Sequence, residues 1–166
     1  MREPTVSAGY ARGLLELAAS KGADRRALAG RAGIDLKALE DRDSRIPWSR
    51  YVALMREAKA MSGEPALALH YGEAVDIGDI SITGLVSQAA ETVAEGFAQL
   101  NRYVPLIVET ENLGGGDRFQ VVLDRQGPWT IDARLNANDF PELTESAFAQ
   151  LVCAPRRLGQ PPFLEA

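Results

Sequence analysis

The sequence predicts an α+β domain: an N-terminal helical cluster, then a three-stranded antiparallel sheet, then a C-terminal helix. Three observations predict it. As far as Val104 apolar residues recur at three- and four-residue spacing, after Pro105 they alternate, and from Pro141 the helical period returns. A chain of 166 residues is long enough for one well-buried core and cramped for two, so one domain is expected.

Val6, Tyr10, Leu14, Leu17 and Ala18 form one apolar stripe, read as a first helix that ends at Lys21-Gly22. Asp24 offers a side-chain acceptor where the next helix would need its free amides capped, and that helix should stop near Gly33. Pro47, whose φ suits a first helical turn, opens a third helix through about Ala60, with Trp48, Val52 and Met55 on one face and Gly63 as its stop. A shorter helix over residues 65–73 follows. Residues 80–89 are apolar nearly all round and read as a buried helix. Thr92 and Glu95 then form a capping box for a helix with Ala94, Phe97, Leu100 and Val104 on one face.

"LIVETEN", "RFQVVLDR" and "WTIDARL" alternate in polarity and are separated by the glycine-rich residues 113–117 and by Gly127-Pro128. They read as three short strands in a meander, because parallel neighbours would need longer crossovers. The last helix is expected over residues 141–152, with Phe140 leading in and Pro155 closing it.

The 23 acidic and 18 basic residues give a net charge of −5, which repels phosphate backbones and disfavours nonspecific nucleic-acid binding by this chain alone. No apolar run is long enough to span a bilayer, and the N-terminus lacks a signal-peptide core, so a cytoplasmic location without a membrane partner is expected. Cys153 is the single cysteine and His70 the single histidine, which excludes an intrachain disulfide framework or thiolate zinc site. Cys153 is read as a buried, inert helix residue and His70 as a packed or half-exposed one.

Several short motifs have plain readings. Gly114-Gly115-Gly116 is followed by a strand rather than a helix N-terminus, so it is a hairpin turn and not a phosphate cradle. Asp76 and Asp79 are too few for a metal site, and Asp79 serves as a helix cap. Glu109 and Glu111 are the solvated face of the first hairpin strand. No catalytic, cofactor-binding or metal-binding residue is assigned. A small-molecule pocket is expected where the segment 80–89 meets the sheet, lined by Trp48, Leu85, Phe97, Tyr103 and Trp129.

"RRALAGRAGIDLKALEDRDSR", residues 25–45, has the outline of a DNA-binding helix-turn-helix. Its second helix would present Glu40, Asp41 and Asp43 against Lys37 and Arg42, the wrong balance for a groove lined by phosphates.

The order of motifs carries a resemblance. Gly33-Ile34-Asp35 is followed by Leu39, Asp41, Asp43, Arg45, Ile46 and Pro47 in a Leu-x-Asp-x-Asp-x-Arg-hydrophobic-Pro pattern, then by Gly84-Leu85 and by the helix of residues 92–103, with "EGF" where "EAL" is commoner. Over roughly residues 7–155 this resembles the N-terminal effector domain of one branch of AraC-type bacterial transcription regulators, an arabinose-binding-like domain distinct from the sugar-binding jelly roll. The resemblance implies an effector-sensing and dimerisation domain over residues 1–155 and a truncated connection over 156–166, leading to a missing remainder that includes the DNA-binding domain. It implies a small-molecule effector of unidentified chemistry, DNA contact only through that missing domain, a homodimer, and no cofactor. Arg102 could face an acidic effector, although its helix-flank position reads as solvent-exposed. Two alternatives stand beside this reading. One is a stand-alone small-molecule or lipid-binding module without a DNA partner. The other is a small hydrolase using Glu109, Glu111 or His70, disfavoured because no acid-base constellation is evident.

Overall fold

The computed structural model describes residues 3–80 and 93–157. Two short strands, β1 (Thr5–Ser7) and β2 (Arg45–Pro47), pair antiparallel with Val6 opposite Ile46. Each strand runs straight into a helix, β1 into α1 (Ala8–Ser20) and β2 into α3 (Trp48–Ser62), so one small ladder fixes the starts of both. Ser7 makes the first transition by accepting the Tyr10 amide on its hydroxyl at 3.3 Å. Val6 therefore belongs to a strand and not to the first helix, as its stripe had suggested; its partner lies about 40 residues away, beyond the reach of local periodicity.

Asp24 caps α2 (Arg25–Arg31) by accepting the Ala27 amide at 2.7 Å. Gly63 ends α3 in the left-handed conformation, with φ +65°. After it come α4 (Leu67–Ala74) and the single turn α5 (Ile77–Ile80). The cap of α5 is Asp76, which accepts the Gly78 amide at 2.8 Å, whereas Asp79 lies inside the turn. The main core joins these helices: Leu14, Leu15, Leu28, Leu54, Met55 and Leu67 are fully buried. Each such side chain contributes about 1.5–3 kcal/mol relative to an exposed position.

The helix expected over 80–89 and the Thr92 half of the capping box lie outside the described residues. The next helix, α6 (Val93–Ile107), passes through Pro105, and the Val108 amide still closes on the Val104 carbonyl at 2.8 Å. A proline removes only its own amide from the ladder, so near a helix end the loss is tolerable. "LIVETEN" is consequently not a strand: it finishes α6 and then contributes two isolated bridges, Val108 to Val6 and Asn112 to Arg134. The expected three-stranded sheet is replaced by two separate two-stranded ones.

The second sheet is the hairpin of β3 (Phe119–Asp124) and β4 (Gly127–Asp132), turning at Arg125-Gln126. The glycine-rich residues make a single 3-10 turn, Leu113–Gly115, with Gly114 and Gly115 both at positive φ; they do not join two paired strands. The final helix α7 (Glu142–Arg157) continues past Pro155. It packs on α4 so closely that a Cβ on Gly72 would run into the Ser146 carbonyl oxygen. Cys153 on α7 is a partly buried free thiol rather than a fully buried one. Among the described residues no helix is long and apolar enough to cross a membrane.

Candidate functional site

The sequence "GYARG" places Gly9 and Gly13 one turn apart on α1. A Cβ at Gly9 would meet the Ile80 carbonyl oxygen at 2.8 Å, and one at Gly13 would meet the Tyr71 hydroxyl at 3.0 Å. Missing side chains thus let α4 and α5 approach α1, and beside that contact a cleft of about 250 Å³ remains. Arg12, Glu16 and Asp76 supply its charges, and Leu17, Tyr71 and Val75 its apolar surface. Arg12 is half-buried, with Nη1 3.4 Å from the Leu39 carbonyl and 3.5 Å from that of Glu40, both long contacts. Glu16 pairs with Arg25 at 2.8 Å in an exposed ion pair. The cleft therefore offers both signs of charge beside an apolar wall.

Behind this wall is a buried aromatic group. Tyr10 lies 5.5 Å from Tyr51 and 5.0 Å from Tyr71 between ring centroids. Tyr71 donates to the Tyr10 carbonyl at 2.6 Å, and the Tyr10 hydroxyl sits 3.2 Å from the Ser146 hydroxyl. The Tyr51 hydroxyl has the Tyr10 phenol beside it and no other well-placed partner among the described residues. Burial pushes the phenols of Tyr51 and Tyr71 well above their usual range, so all of this cluster is neutral at physiological pH.

A third constellation anchors the hairpin. Arg118 binds Asp132 through two parallel bonds, Nε to Oδ1 at 3.0 Å and Nη2 to Oδ2 at 2.9 Å, and both side chains are buried. Thr144 donates to the same carboxylate at 2.7 Å. Burial alone would raise the Asp132 pKa; the hydrogen bond and charge of Arg118, then Thr144 and Arg134, outweigh it and hold the carboxyl below its usual range. Arg134 turns its Nη2 to the carbonyls of Ala137 and Phe140, at 3.1 and 2.7 Å. Two guanidinium groups thus neighbour one carboxylate, Arg134 through Nε at 4.0 Å, and carbonyl oxygens and Thr144 take the Arg134 Nη2.

The residues expected to line a pocket fall in different places. Trp48 is half-buried and packs edge-on against Phe140 with centroids 5.4 Å apart. Phe97 and Tyr103 are half-buried on α6, with the Arg102 guanidinium over the Tyr103 ring and otherwise exposed. Trp129 is half exposed on the hairpin, and Leu85 lies outside the described residues. His70 stands between Glu73 and Glu64, at 3.3 and 3.6 Å. Glu109 instead accepts the amide and hydroxyl of Thr5, at 2.7 and 2.8 Å. Glu111 is exposed, so these three groups serve separate neighbourhoods.

Sequence reasoning missed Arg12, the glycine pair and the Arg118-Asp132-Arg134 group. The Gly-x-x-x-Gly spacing was available as a signal of close helix contact, and Asp132 with Arg134 in "TIDARL" was available as a same-face pair. The partnership with Arg118 depends on the hairpin register.

The helix-turn-helix outline also resolves. α2 is followed by a single 3-10 turn, Leu36–Leu39, too short to lie along a major groove, and Leu28, Ala29, Ile34 and Leu39 are buried in the core. Residues 25–45 are scaffold.

Comparison with known families finds a match over residues 22–165 to the arabinose-binding domain of AraC transcription regulators, N-terminal. No curated protein and no solved structure matches the chain. A ligand-sensing regulatory domain is what that family description implies. With the match extending from α2 through α7, the chain belongs to the family of N-terminal arabinose-binding domains of AraC transcription regulators.

Proposed function

We propose that this chain senses a small-molecule effector and thereby controls DNA binding by a C-terminal helix-turn-helix domain outside this sequence. The observation that carries the reading is the family match over residues 22–165. Two features support it: residues 25–45 are spent on the core, and the net charge of −5 disfavours phosphate contact. Residues 1–155 form the sensing unit in this reading, and 156–166 lead toward the DNA-binding part.

We place the effector at the cleft beside α1, where Arg12, Glu16 and Asp76 present both signs of charge near Tyr71. Such a lining suits a small hydroxylated or zwitterionic molecule better than a long acyl chain. The cleft is bordered by Ile80, from which the chain leads on to Leu85, Phe97 and Tyr103; these three remain candidate contacts, as do Trp48 and Trp129. Control follows if the effector binds one of two domain arrangements more tightly and so shifts the fraction able to hold DNA-reading units in register.

The test compares two proteins by fluorescence anisotropy on DNA from upstream of the native gene. The 166-residue chain should not bind, whereas the protein extended through its native reading frame should bind with salt-sensitive affinity. Equal binding by both, or an extension that encodes no helix-turn-helix pair, overturns the reading.

A further inference from the structure

Both walls of the α1 cleft reach the same residue of α7. Tyr71, on α4, lines the cleft and donates its hydroxyl to the Tyr10 carbonyl on α1 at 2.6 Å. The Tyr10 side chain in turn crosses to α7, where its hydroxyl lies 3.2 Å from that of Ser146. A serine hydroxyl has one proton, and Ser146 gives it to the Leu143 carbonyl at 3.1 Å, so Ser146 accepts from Tyr10. Ser146 is wholly buried, and a lost donor there is not replaced by bulk water.

The second wall arrives through the backbone. Gly72 follows Tyr71 on α4, and the space its Cβ would need is filled by the Ser146 carbonyl and the Ala149 side chain. No flexible side chain separates the two helices at this point, so a shift of one is passed to the other. The other end is equally tight: at Gly13, which also lines the cleft, a Cβ would stand 3.0 Å from the Tyr71 hydroxyl. Ser146 is thus held twice, by α1 through its hydroxyl and by α4 through its backbone.

We propose that Tyr10 and Gly72 are positioning residues that pass the spacing of the cleft walls to α7 at Ser146. When α1 and α4 move apart, the Tyr10 hydroxyl and the Gly72 backbone move apart with them, and Ser146 cannot keep both contacts. α7 then loosens on one of its two supports. This helix ends at Arg157, from which the chain leads on toward residues 158–166. The inference rests on the reading that the effector enters this cleft, and it adds the route by which occupancy leaves the domain.

Cys153 provides the test. It is the single cysteine, partly buried, and lies seven residues beyond Ser146, two turns along the same face of α7. Its rate of reaction with dithionitrobenzoate in the 166-residue chain reports how firmly that face is seated. No effector is used, so a failure here is distinct from a failure of the effector site, which ligand titration against Arg12→Ala decides. Gly13→Ala presses a methyl group on the Tyr71 hydroxyl and should speed labelling at least about 5-fold. In a chain that also carries Tyr10→Phe or Ser146→Ala, α7 is free to follow α4, and Gly13→Ala should change the rate less than about 2-fold. Urea denaturation of each variant gives the share of labelling due to global unfolding, which is subtracted. If Gly13→Ala fails to fold, Tyr71→Phe, which withdraws the bond to the Tyr10 carbonyl, takes its place in the same cycle with the same expectation. Equal acceleration with and without the Tyr10 hydroxyl makes these residues ordinary core packing and overturns the proposal. So does a folded Gly13→Ala protein that labels at the wild-type rate.

Discussion

Leu14, Leu15, Leu54 and Met55, in α1 and α3, are wholly withdrawn from solvent, whereas in the hairpin Leu123 is 78 % and Trp129 50 % exposed. Both regions are rich in apolar side chains, yet the helical one buries most of its own, whereas in the hairpin strands the large apolar side chain that is buried is Phe119, against Phe148. A lone two-stranded hairpin is marginal in water, and this one is secured at its base by polar groups: the buried Arg118-Asp132 pair, Thr144, and the Asn101 amide on Phe119. The helices thus form a frame, and the hairpin presents surface from it.

The largest effect should come from breaking the hairpin's anchor. Asp132→Ala leaves Arg118 buried without its carboxylate and should cost about 3–5 kcal/mol, read by urea denaturation. A cost below about 1 kcal/mol would mean that the pair adds little and that other contacts hold the hairpin.

A smaller effect separates the regions by pH. The Asp132 carboxyl titrates below its ordinary range when folded, so the unfolded chain takes up this proton first as pH falls. Its contribution is complete above the ordinary carboxyl pKa of about 3.9 and is lost as pH drops through the lower folded value. Wild type should accordingly lose stability more steeply below about pH 4 than Asp132→Asn does. Parallel acid limbs in the two proteins would contradict the assignment.

The smallest effect belongs to the frame. Among the described residues the buried Tyr51 hydroxyl has the Tyr10 phenol beside it and no other well-placed partner, so Tyr51→Phe should change stability by less than about 1 kcal/mol. A loss of more than about 2 kcal/mol in thermal denaturation would show that this hydroxyl is engaged after all.

Legibility followed the same division. Helix boundaries set by a local residue could be read directly: Asp24 caps α2, and Gly63 ends α3. Features resting on distant partners could not. Val6 fits a helical stripe equally well as a strand, and only Ile46 decides between them. "LIVETEN" alternates like a strand, but α6 runs through Pro105 and consumes its beginning. At the candidate site, Gly9 and Gly13 carried a readable spacing, whereas Arg12 acquires its position only when α4 and α5 close on α1. The Arg118-Asp132 pairing needs the hairpin register, which no local pattern specifies.

The measurement that bears most directly on effector sensing is a thermal-shift titration of the chain with arabinose, other small sugars, amino acids and fatty acids, repeated on Arg12→Ala. A ligand at about 100 times its Kd adds about 2.7 kcal/mol, which for a chain of this size raises Tm by about 5–10 °C. A sensor domain with its site at the α1 cleft predicts such a rise for a small hydroxylated or zwitterionic compound, and its loss in a folded Arg12→Ala protein. A rise only with fatty acids, or one that Arg12→Ala leaves intact, would contradict that site; no rise with any of these compounds would contradict sensing of these metabolite classes.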